Sequence, residues 1–378
     1  MERHVKLSRI SRAGSVALVG ALALTLAACG SDNPTGDAPE NTGAPAAESP
    51  AGDISGTFSG AGASSQESAM GAWIAGFQSQ NPDVSVSYDA AGSGAGREQF
   101  LAGGVSFAGS DAALKDEELQ SSTEVCGPDG AIDLPLYISP IAVAFNLPGI
   151  SSLNLAPETI ANIFAGNITS WNDPAIAADN PDVNLPDMAI TPVHRSDDSG
   201  TTDNFTEYLH ATAGDVWTWE PDGVFPVEGG DSAQGTSGVV GIVNDTEGAV
   251  TYADASRVGQ LGTAAIKVGE EWVPVSPEAA AAAVDASHEV EGRHEHDLAF
   301  ELDRTTTAAG AYPLVLISYS LACLNYADEA EGNFVKAFLG YIASSEGQQA
   351  AASAAGSAPI SDDLRSQVEQ AIDAITVG

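Results

Sequence analysis

The sequence predicts an α/β fold with two lobes for the part of the chain that follows its N-terminal segment. Apolar residues alternate with polar ones over residues 84–88, as in a strand, and recur at helical spacing over residues 70–77. Continuous apolar runs over residues 138–146 and 312–319 are typical of strands that are buried on both faces. Because roughly 320 residues of such alternation exceed one hydrophobic core, two α/β lobes are expected.

Capping signals locate two helix starts. Ser276 precedes Pro277 and Glu278, which is the order of an N-cap, a proline in the first turn and an early acidic residue. Ser361 precedes a terminal segment in which apolar residues recur at helical spacing up to Ile372. A helix is therefore predicted after each of these two serines.

Composition limits the classes of function. The 378 residues include 52 acidic and 13 basic side chains, which gives a formal net charge of −39 at pH 7. This charge argues against nucleic-acid binding, because phosphate backbones attract basic surfaces. At 43% apolar residues the chain can bury a substantial core, and its three cysteines are too few for a zinc module or a small disulfide scaffold.

The N-terminus has the pattern of an export signal. A basic segment that ends at Arg12 is followed by the uncharged stretch Ala13–Ala28, which is short for a membrane span and suited to the core of a signal peptide. Leu26–Gly30 resemble the lipobox of bacterial lipoproteins, which implies that residues 1–28 are removed and that Cys29 is lipidated. An ordinary cleavage site with an incidental cysteine is the alternative.

Residues 29–53 are predicted to form a flexible tether. Gly30–Asp53 contain no aromatic or branched aliphatic residue, so this stretch cannot bury enough surface to fold. A tethered domain outside the membrane would place Cys126 and Cys323 in an oxidising compartment, where they are expected to form a disulfide. Two separate buried thiols are the alternative.

Three short loops share a pattern that suits an anion. Ser59–Ser65 precede the first predicted helix, Gly92–Gly96 follow a predicted strand, and Ser199–Thr201 open another helix. At a helix start, unpaired N–H groups and the positive end of the helix dipole attract anions. Serine is also a common N-cap, so a purely structural role is the alternative for any single loop. Arg195 and Asp111 lie on adjacent predicted turns and strengthen the interpretation as an oxyanion site.

Three segments of the chain resemble a known family. They are residues 162–176 (NIFAGNITSWNDPAI), residues 194–201 (HRSDDSGT) and residues 109–111 (GSD). From about Ser55 to its last helix, the chain resembles the phosphate-binding lipoproteins of bacterial high-affinity phosphate ABC importers. The resemblance implies a two-lobed periplasmic-binding-protein fold of type II, with two hinge strands and the ligand in the cleft between the lobes.

The same resemblance implies the domain boundaries. The first lobe would comprise residues 54–140 and 313–378, and the second lobe residues 141–312. The hinge strands would lie near residues 136–144 and 308–317. Both cysteines of the predicted disulfide would then belong to the first lobe.

Residue by residue, the resemblance places the phosphate contacts on small and hydroxyl-bearing residues, an aspartate and an arginine. They are Ala63, Ser64, Ser65, Ser93, Asp111, Arg195, Ser199, Gly200 and Thr201. Asp197 would orient Arg195 through an ion pair. The family usually has Thr-Phe-Pro where this chain has Ser64-Ser65-Gln66, so the chain lacks the aromatic ring that would shield the cleft. No cofactor is implied.

Asp111 carries the expected selectivity. Near neutral pH phosphate keeps a proton, so an ionised carboxylate can accept a hydrogen bond from it. Sulfate carries no proton, so the carboxylate and sulfate would face each other with lone pairs only. The alternative role for Asp111 is a cap of the turn at residues 112–114. The first interpretation predicts a preference for phosphate over sulfate.

Two other patterns suggest different chemistry. His288, His294 and His296 lie among acidic residues, but their spacing does not match a zinc-binding helix, so a solvated acidic loop without a metal is expected. No Gly-x-Ser-x-Gly elbow surrounds the candidate serines, and the sequence contains no Walker motif. His194, which precedes Arg195, is expected to be a strand-end residue rather than a general base.

The leading hypothesis is a non-enzymatic lipoprotein, anchored outside the cell membrane, that binds inorganic phosphate and delivers it to the permease subunits of an importer. A monomer is expected, with no nucleic-acid partner. The alternatives are a secreted phosphatase that uses a cleft serine, and a binder of another tetrahedral oxyanion such as sulfate.

Overall fold

The computed structural model describes residues 54–378 of the chain. Its strands, in chain order, are β1 (Gly56–Gly62), β2 (Val84–Asp89), β3 (Phe107–Ser110), β4 (Ala131–Phe145), β5 (Ser152–Leu155), β6 (Thr191–Arg195), β7 (Asp231–Ala233), β8 (Ala249–Asp254), β9 (Gly262–Val268), β10 (Glu271–Val273), β11 (His288–Glu289), β12 (Phe300–Glu301), β13 (Val315–Cys323), β14 (Asn325–Tyr326) and β15 (Thr376–Val377).

Helices alternate with these strands. They are α1 (Glu67–Gln80), α2 (Ser93–Leu101), α3 (Asp116–Cys126), α4 (Pro157–Phe164), α5 (Pro174–Asp179), α6 (Gly200–Ala213), α7 (Gly235–Asp245), α8 (Pro277–Asp285), α9 (Glu329–Ala343), α10 (Ser345–Ala355) and α11 (Asp362–Ala374), with a 3₁₀ turn at Ala255–Arg257. The predicted α/β class is confirmed.

Serine caps begin the two helices that the sequence located. Ser276 Oγ accepts the N–H of Ala279 at 3.1 Å at the start of α8, and Ser361 Oγ accepts the N–H of Leu364 at 3.2 Å at the start of α11. Each cap satisfies one of the N–H groups that a first helical turn leaves without an intrahelical acceptor. Both predicted helix starts are therefore confirmed.

Most of the strands belong to one mixed sheet. Eleven strands of the described range form it in the order β2-β1-β3-β13-β4-β8-β6-β7, and β9 pairs with β4, β5 and β10. At one end β1 pairs in parallel with β2 and β3, and at the other end β6 pairs in parallel with β7 and β8. The antiparallel pair of β13 and β4 lies between these two parallel sets and divides the sheet into a first and a second half.

Strand β4 passes from one half of the sheet to the other. Its residues up to Pro140 pair with β13, and its residues from Ile141 onward pair with β8. Strand β13 begins at Val315, later than the apolar run at residues 312–319 predicts, for two reasons. The N–H of Tyr312 donates to a carbonyl of α8 at 2.9 Å, and the next residue is a proline, which has no N–H for a strand ladder.

One hydrophobic core continues across both halves of the sheet. It includes Trp73 and Phe107 from the first half and Trp171 and Tyr252 from the second half. All of β4 is buried, so its side chains contact the core along the whole strand. A smaller apolar cluster around Val239 packs on the second half alone.

The predicted disulfide is confirmed. Cys126, at the end of α3, and Cys323, at the end of β13, are joined at an S–S distance of 2.03 Å and are both buried. The bond ties a helix of the first half to one of the two central strands.

The predicted signal peptide, the tether and Cys29 fall within residues 1–53 and lie outside the described residues. None of the helices in residues 54–378 combines the length and the apolarity that a bilayer crossing needs.

Candidate functional site

The candidate site lies where strands from both halves of the sheet end. Strands β1 and β3 end at Gly62 and Ser110, and β6 ends at Arg195. In α/β sheets, ligands bind beyond the carboxyl ends of parallel strands. Residues of the two halves meet there directly, because the Thr201 hydroxyl donates to Oδ2 of Asp111 at 2.9 Å.

The loop after β1 is held tightly against β3. Ala63 donates its N–H to the carbonyl of Gly109 at 2.8 Å. Gly62 has φ 144°, and a Cβ there would lie 1.9 Å from the same carbonyl oxygen, so only glycine fits. Ala63 was predicted to contact phosphate, but its N–H is already used within the protein. This bond holds the loop against β3, and a contact of Ala63 with phosphate stays a prediction.

Ser64 and Ser65, the next two residues, point to different partners. Ser64 Oγ accepts the N–H of Thr236 at 3.0 Å, which is a contact with the first turn of α7 in the second half. Ser65 Oγ donates to Oδ1 of Asp111 at 2.5 Å. The main-chain N–H groups of both serines have no acceptor within the described part of the chain. These two N–H groups can therefore donate to a ligand.

Helix α2 begins at Ser93, and the residue before it, Gly92, has no room for a side chain. Gly92 has φ 110°, and a Cβ there would lie 2.5 Å from Oδ2 of Asp197. Ser93 Oγ accepts the N–H of Asp111 at 3.1 Å. Since that bond uses a lone pair, the hydroxyl proton of Ser93 remains able to donate.

The start of α6 faces Asp111 at close range. Ser199 Oγ caps the helix by accepting a first-turn N–H at 3.2 Å, while the Ser199 N–H donates to Gly223 O at 2.9 Å. Gly200 and Thr201 occupy the first turn, where N–H groups have no intrahelical acceptor. A Cβ on Gly200 would lie 2.7 Å from Cβ of Asp111. Glycine at this position lets the helix start approach the carboxylate.

Arg195 supplies a positive charge that is buried at the end of β6. Its side chain is 2% exposed, and Nε and Nη2 donate to the two carboxylate oxygens of Asp197, the Nε bond at 2.8 Å. Asp197 also accepts the N–H of Gly235 at 3.2 Å, so it is itself held in place. The ion pair expected between Arg195 and Asp197 is thus present in the structure.

The carboxylate of Asp111 accepts hydrogen bonds from three hydroxyl groups. Ser65 and Ser318 donate to Oδ1, each at 2.5 Å, and Thr201 donates to Oδ2 at 2.9 Å. Burial raises the pKa of Asp111, while these hydrogen bonds and the nearby charge of Arg195 act in the opposite direction. The pKa of Asp111 is raised on balance, because the carboxyl is almost completely buried and burial is the largest effect.

Asp111 does not cap the turn that follows it. The N–H of Ala112 donates to Ser110 Oγ at 3.3 Å, and the N–H of Leu114 donates to the carboxylate of Asp133 at 3.1 Å. The side chain of Asp111 instead faces the loops that carry the predicted contacts. The alternative interpretation of Asp111 as a turn cap is therefore wrong.

Sequence reasoning missed several residues that surround Asp111. Ser318 lies within a buried apolar strand, where a serine is the signal that could have indicated a polar role, although Ser320 on the same strand carries the same signal without a partner among the described residues. Gln66 donates to Ser318 Oγ at 2.6 Å, and Asn204 donates to the carbonyl of Asp111 at 2.7 Å. Arg304, which donates to Asn204, is one of few basic residues in an acidic chain, and it was left without a role.

The histidines noted in the sequence do not converge. Nε2 of exposed His288 lies 3.6 Å from Oε2 of Glu301 on the neighbouring strand. The main-chain N–H of His296 donates to Nδ1 of His294 at 3.2 Å. Among residues 54–378, no group of three His, Cys, Asp or Glu side chains is arranged to hold a metal. His194 Nδ1 contacts the carbonyl of the next residue at 2.9 Å rather than a candidate serine.

Comparison with known proteins gives one family. The sequence profile of the PBP superfamily domain matches residues 45–346. Phosphate-binding protein PstS 3 of Mycobacterium leprae (strain TN) is 34% identical over 375 residues, which covers 98% of this chain and 100% of that protein.

Solved structures show the same fold. A high-affinity periplasmic phosphate-binding protein (PfluDING) bound with phosphate has a TM-score of 0.65 at 20% identity, covering 83% of this chain and 93% of the solved one. Phosphate binding protein from Stenotrophomonas maltophilia has a TM-score of 0.62 at 19% identity, covering 84% of this chain and 94% of the solved one. These likenesses confirm the predicted two-lobed periplasmic-binding-protein fold. With the match in sequence, they show that the chain belongs to the family of PstS-type phosphate-binding proteins.

Proposed function

We propose that the chain binds inorganic phosphate in the cleft and delivers it to the permease of an ABC-type phosphate importer. One observation carries the proposal: buried Arg195, oriented by Asp197, ends β6, and buried Asp111, which follows β3, accepts a hydrogen bond from Thr201 in the first turn of α6, the helix that follows β6. A cation and a hydrogen-bond acceptor in one buried site fit an oxyanion that still carries a proton. The name of the Mycobacterium leprae relative, a phosphate-binding protein, supports the same ligand.

Neutral donors complete the proposed site. They are the N–H groups of Ser64 and Ser65, the hydroxyls of Ser64, Ser93 and Ser199, and the N–H groups of Gly200 and Thr201. Each can form a charge-assisted hydrogen bond, which is shorter and stronger than a bond between neutral groups. Because donors come from both halves of the sheet, only the closed cleft presents all of them together.

The carboxylate of Asp111 would then set the preference among tetrahedral anions. Phosphate keeps a proton near neutral pH and can donate it to Asp111, whereas sulfate can present only lone pairs. Two buried acceptors without a donor between them cost about 1–3 kcal/mol or more, equivalent to at least about fivefold in affinity. The site should therefore favour phosphate.

Calorimetric titration of the mature chain with phosphate and with sulfate tests this proposal. Phosphate should bind at one site per chain, and an excess of sulfate should leave the phosphate isotherm unchanged. Equal competition by sulfate would assign the site to tetrahedral oxyanions in general. A chain that binds neither anion would contradict the proposed function.

The site is proposed to bind without catalysis. Within residues 54–378, no hydrogen bond joins a histidine to a cleft serine, so the described residues contain no serine–histidine pair of the kind that activates a serine nucleophile. A chromogenic phosphomonoester should remain uncleaved by the purified chain. Turnover that disappears when Ser64 is replaced by alanine would favour the phosphatase alternative.

The chain is proposed to act outside the cell membrane, anchored by a lipid on Cys29. The lipobox sequence supports the anchor, and the disulfide between Cys126 and Cys323 is typical of an oxidising compartment. Cys29→Ala should release the folded protein from the membrane fraction without changing its thermal stability. Equal membrane association of variant and parent would contradict the lipid anchor.

The lobe boundaries stay a proposal, with residues 54–140 and 313–378 in one lobe and residues 141–312 in the other. The change of partner along β4 between Pro140 and Ile141 supports a hinge at this position. The chain is proposed to act as a monomer, since the site draws all of its predicted residues from one copy.

A further inference from the structure

The carboxylate of Asp111 is bonded asymmetrically. Oδ1 accepts two hydroxyl groups, from Ser65 and Ser318, both at 2.5 Å. Oδ2 accepts one, from Thr201 at 2.9 Å. A carboxylate oxygen has two lone pairs, so Oδ1 is saturated and Oδ2 keeps one acceptor position. Among the residues described, the carboxylate therefore has one acceptor position open to a ligand.

The side chain of Gln66 fixes the orientation of the Ser318 hydroxyl. Gln66 Nε2 donates to Ser318 Oγ at 2.6 Å, so the oxygen of Ser318 acts as an acceptor and its proton is left for Asp111. The side chains of Ser65, Gln66 and Ser318 are fully buried, so bulk solvent does not reach them to replace a lost hydrogen bond. Ser65 and Gln66 are two of the three positions, 64–66, at which this chain differs from the Thr-Phe-Pro that the family resemblance leads one to expect.

We propose that Ser65 and Ser318 are specificity-determining positioning residues: they saturate Oδ1 of Asp111, keep the carboxylate ionised and leave one acceptor on Oδ2 for a protonated oxyanion. The inference deepens the proposed function and rests on it. In this chain the hydroxyl of Ser65 bonds to Asp111, whereas an aromatic ring at the same position would only shield the cleft.

The two serine hydroxyls act on selectivity through the protonation state of Asp111. Hydroxyl donors to Oδ1 stabilise the ionised form against burial, which favours the neutral form. Without Ser318 or Ser65, Oδ1 would have an unpaired acceptor in a buried site, and the carboxyl would take up a proton at higher pH. A protonated Asp111 can donate to an oxyanion that has no proton, so the exclusion of sulfate would weaken.

Other charged groups face Asp111 from the surrounding elements. Arg195 at the end of β6 favours the ionised carboxylate of Asp111. The negative charge of Asp111 in turn raises the pKa of Tyr88 and of Asp254. Three more charged residues, Asp203, Glu207 and Arg304, line a cavity of about 130 Å³ together with Asp111. Because all of these remain in a serine variant, a change in pH dependence would report the lost hydroxyl.

The test measures phosphate and sulfate affinities of the mature chain by calorimetry from about pH 5 to about pH 8. Variants are Ser318→Ala, Ser65→Ala, and Ser318→Thr, which restores a hydroxyl. Ser320→Ala is the matched control, because Ser320 lies on the same strand with a buried hydroxyl that has no partner in the described residues.

We expect Ser318→Ala and Ser65→Ala to lower the phosphate-to-sulfate affinity ratio at least about tenfold, with sulfate binding growing as the pH falls. Ser318→Thr should regain the parent ratio, and Ser320→Ala should match the parent at every pH. Thermal melting of each variant separates a folding defect from altered selectivity. If Ser318→Ala does not fold, Ser65→Ala tests the same oxygen, Oδ1 of Asp111, from the loop after β1.

The outcomes separate the inference from the proposed function. A parent that binds phosphate, together with folded alanine variants whose ratio and pH profile are unchanged, would overturn only the role of Ser65 and Ser318. A parent that binds no phosphate would overturn the proposed function and this inference with it.

Discussion

Arg195 and Arg304 are equally buried, at 3% and 4% exposure, but their hydrogen bonding differs. Arg304 uses all five N–H donors, on the carboxylate of Glu207, the carbonyls of Pro313 and Val315, and the side chain of Asn204. Arg195 uses two of its side-chain N–H groups, both on Asp197, and the other three have no acceptor in the described chain.

The difference separates the scaffold from the binding site. Saturated Arg304 connects the segment before β13 to α6, and Asn204 extends the connection to the carbonyls of Gly200 and Asp111. The unused donors of Arg195 remain available to a ligand. We therefore expect substitutions at Arg304 to change stability and substitutions at Arg195 to change affinity.

The largest expected effect is on the scaffold arginine. Arg304→Met should lower the free energy of unfolding by about 4 kcal/mol, because two carbonyls and Asn204 Oδ1 would remain buried without donors. Half-exposed Glu207 can turn to water and adds little. Denaturant unfolding without phosphate measures the loss. Arg365→Met, which removes an ion pair to an exposed carboxylate, is the control and should cost about 0.5 kcal/mol or less. A similar loss in both variants would contradict the scaffold role.

Buried Asp254 extends the comparison to carboxylates. It accepts the N–H of Ser256 at 2.9 Å at the end of β8, and burial raises its pKa to about 6 from 3.8. The folded state therefore binds its proton more tightly than the unfolded state does. The contribution to stability is full below about pH 4 and is lost as the pH rises through about 6, a change of about 3 kcal/mol.

Asp254→Asn should remove this pH-dependent part of the stability. Unfolding titrations of parent and variant at about pH 4 and about pH 7 give the difference, which should favour the variant at the higher pH. Asp363→Asn, at an exposed position of α11, serves as the control and should follow the parent. Parallel stability curves for Asp254→Asn and the parent would contradict the assignment.

The binding arginine should show the opposite behaviour to Arg304. Arg195→Met should weaken phosphate binding about 100-fold, equivalent to about 2.7 kcal/mol, because the cleft would enclose a dianion without a cation. Its free energy of unfolding without phosphate should change less than that of Arg304→Met, since Asp197 keeps its bond to Gly235. Calorimetry and denaturant unfolding measure the two effects. Unchanged affinity would place the site elsewhere.

Local features of the fold were predictable from neighbouring residues. The caps at Ser276 and Ser361 bond to N–H groups three residues ahead, so a short stretch of sequence contains both partners. The start of strand β13 was less predictable, because an apolar run does not show where a ladder begins. Tyr312 belongs to that run by hydropathy but bonds to α8.

The candidate site was predictable through its loops and its resemblance to a family. The anion-binding chemistry follows from residue types at helix starts, and the ion pair of Arg195 with Asp197 joins residues two positions apart. Ala63 shows the limit of this reasoning. It was predicted from its place in the loop, but only the packing of β1 against β3 assigns its N–H to Gly109.

The sequence by itself determined the α/β class, the helix caps, the family and the residue types that can bind an oxyanion, because each depends on patterns within a short stretch or on overall composition. Only the tertiary structure decided which hydroxyls saturate Asp111 and which arginine is left with free donors. Ser318 is separated from Asp111 by 207 residues and Arg304 from Asn204 by 100. Contacts at such separations depend on the order and register of the strands, which hydrophobic periodicity does not specify.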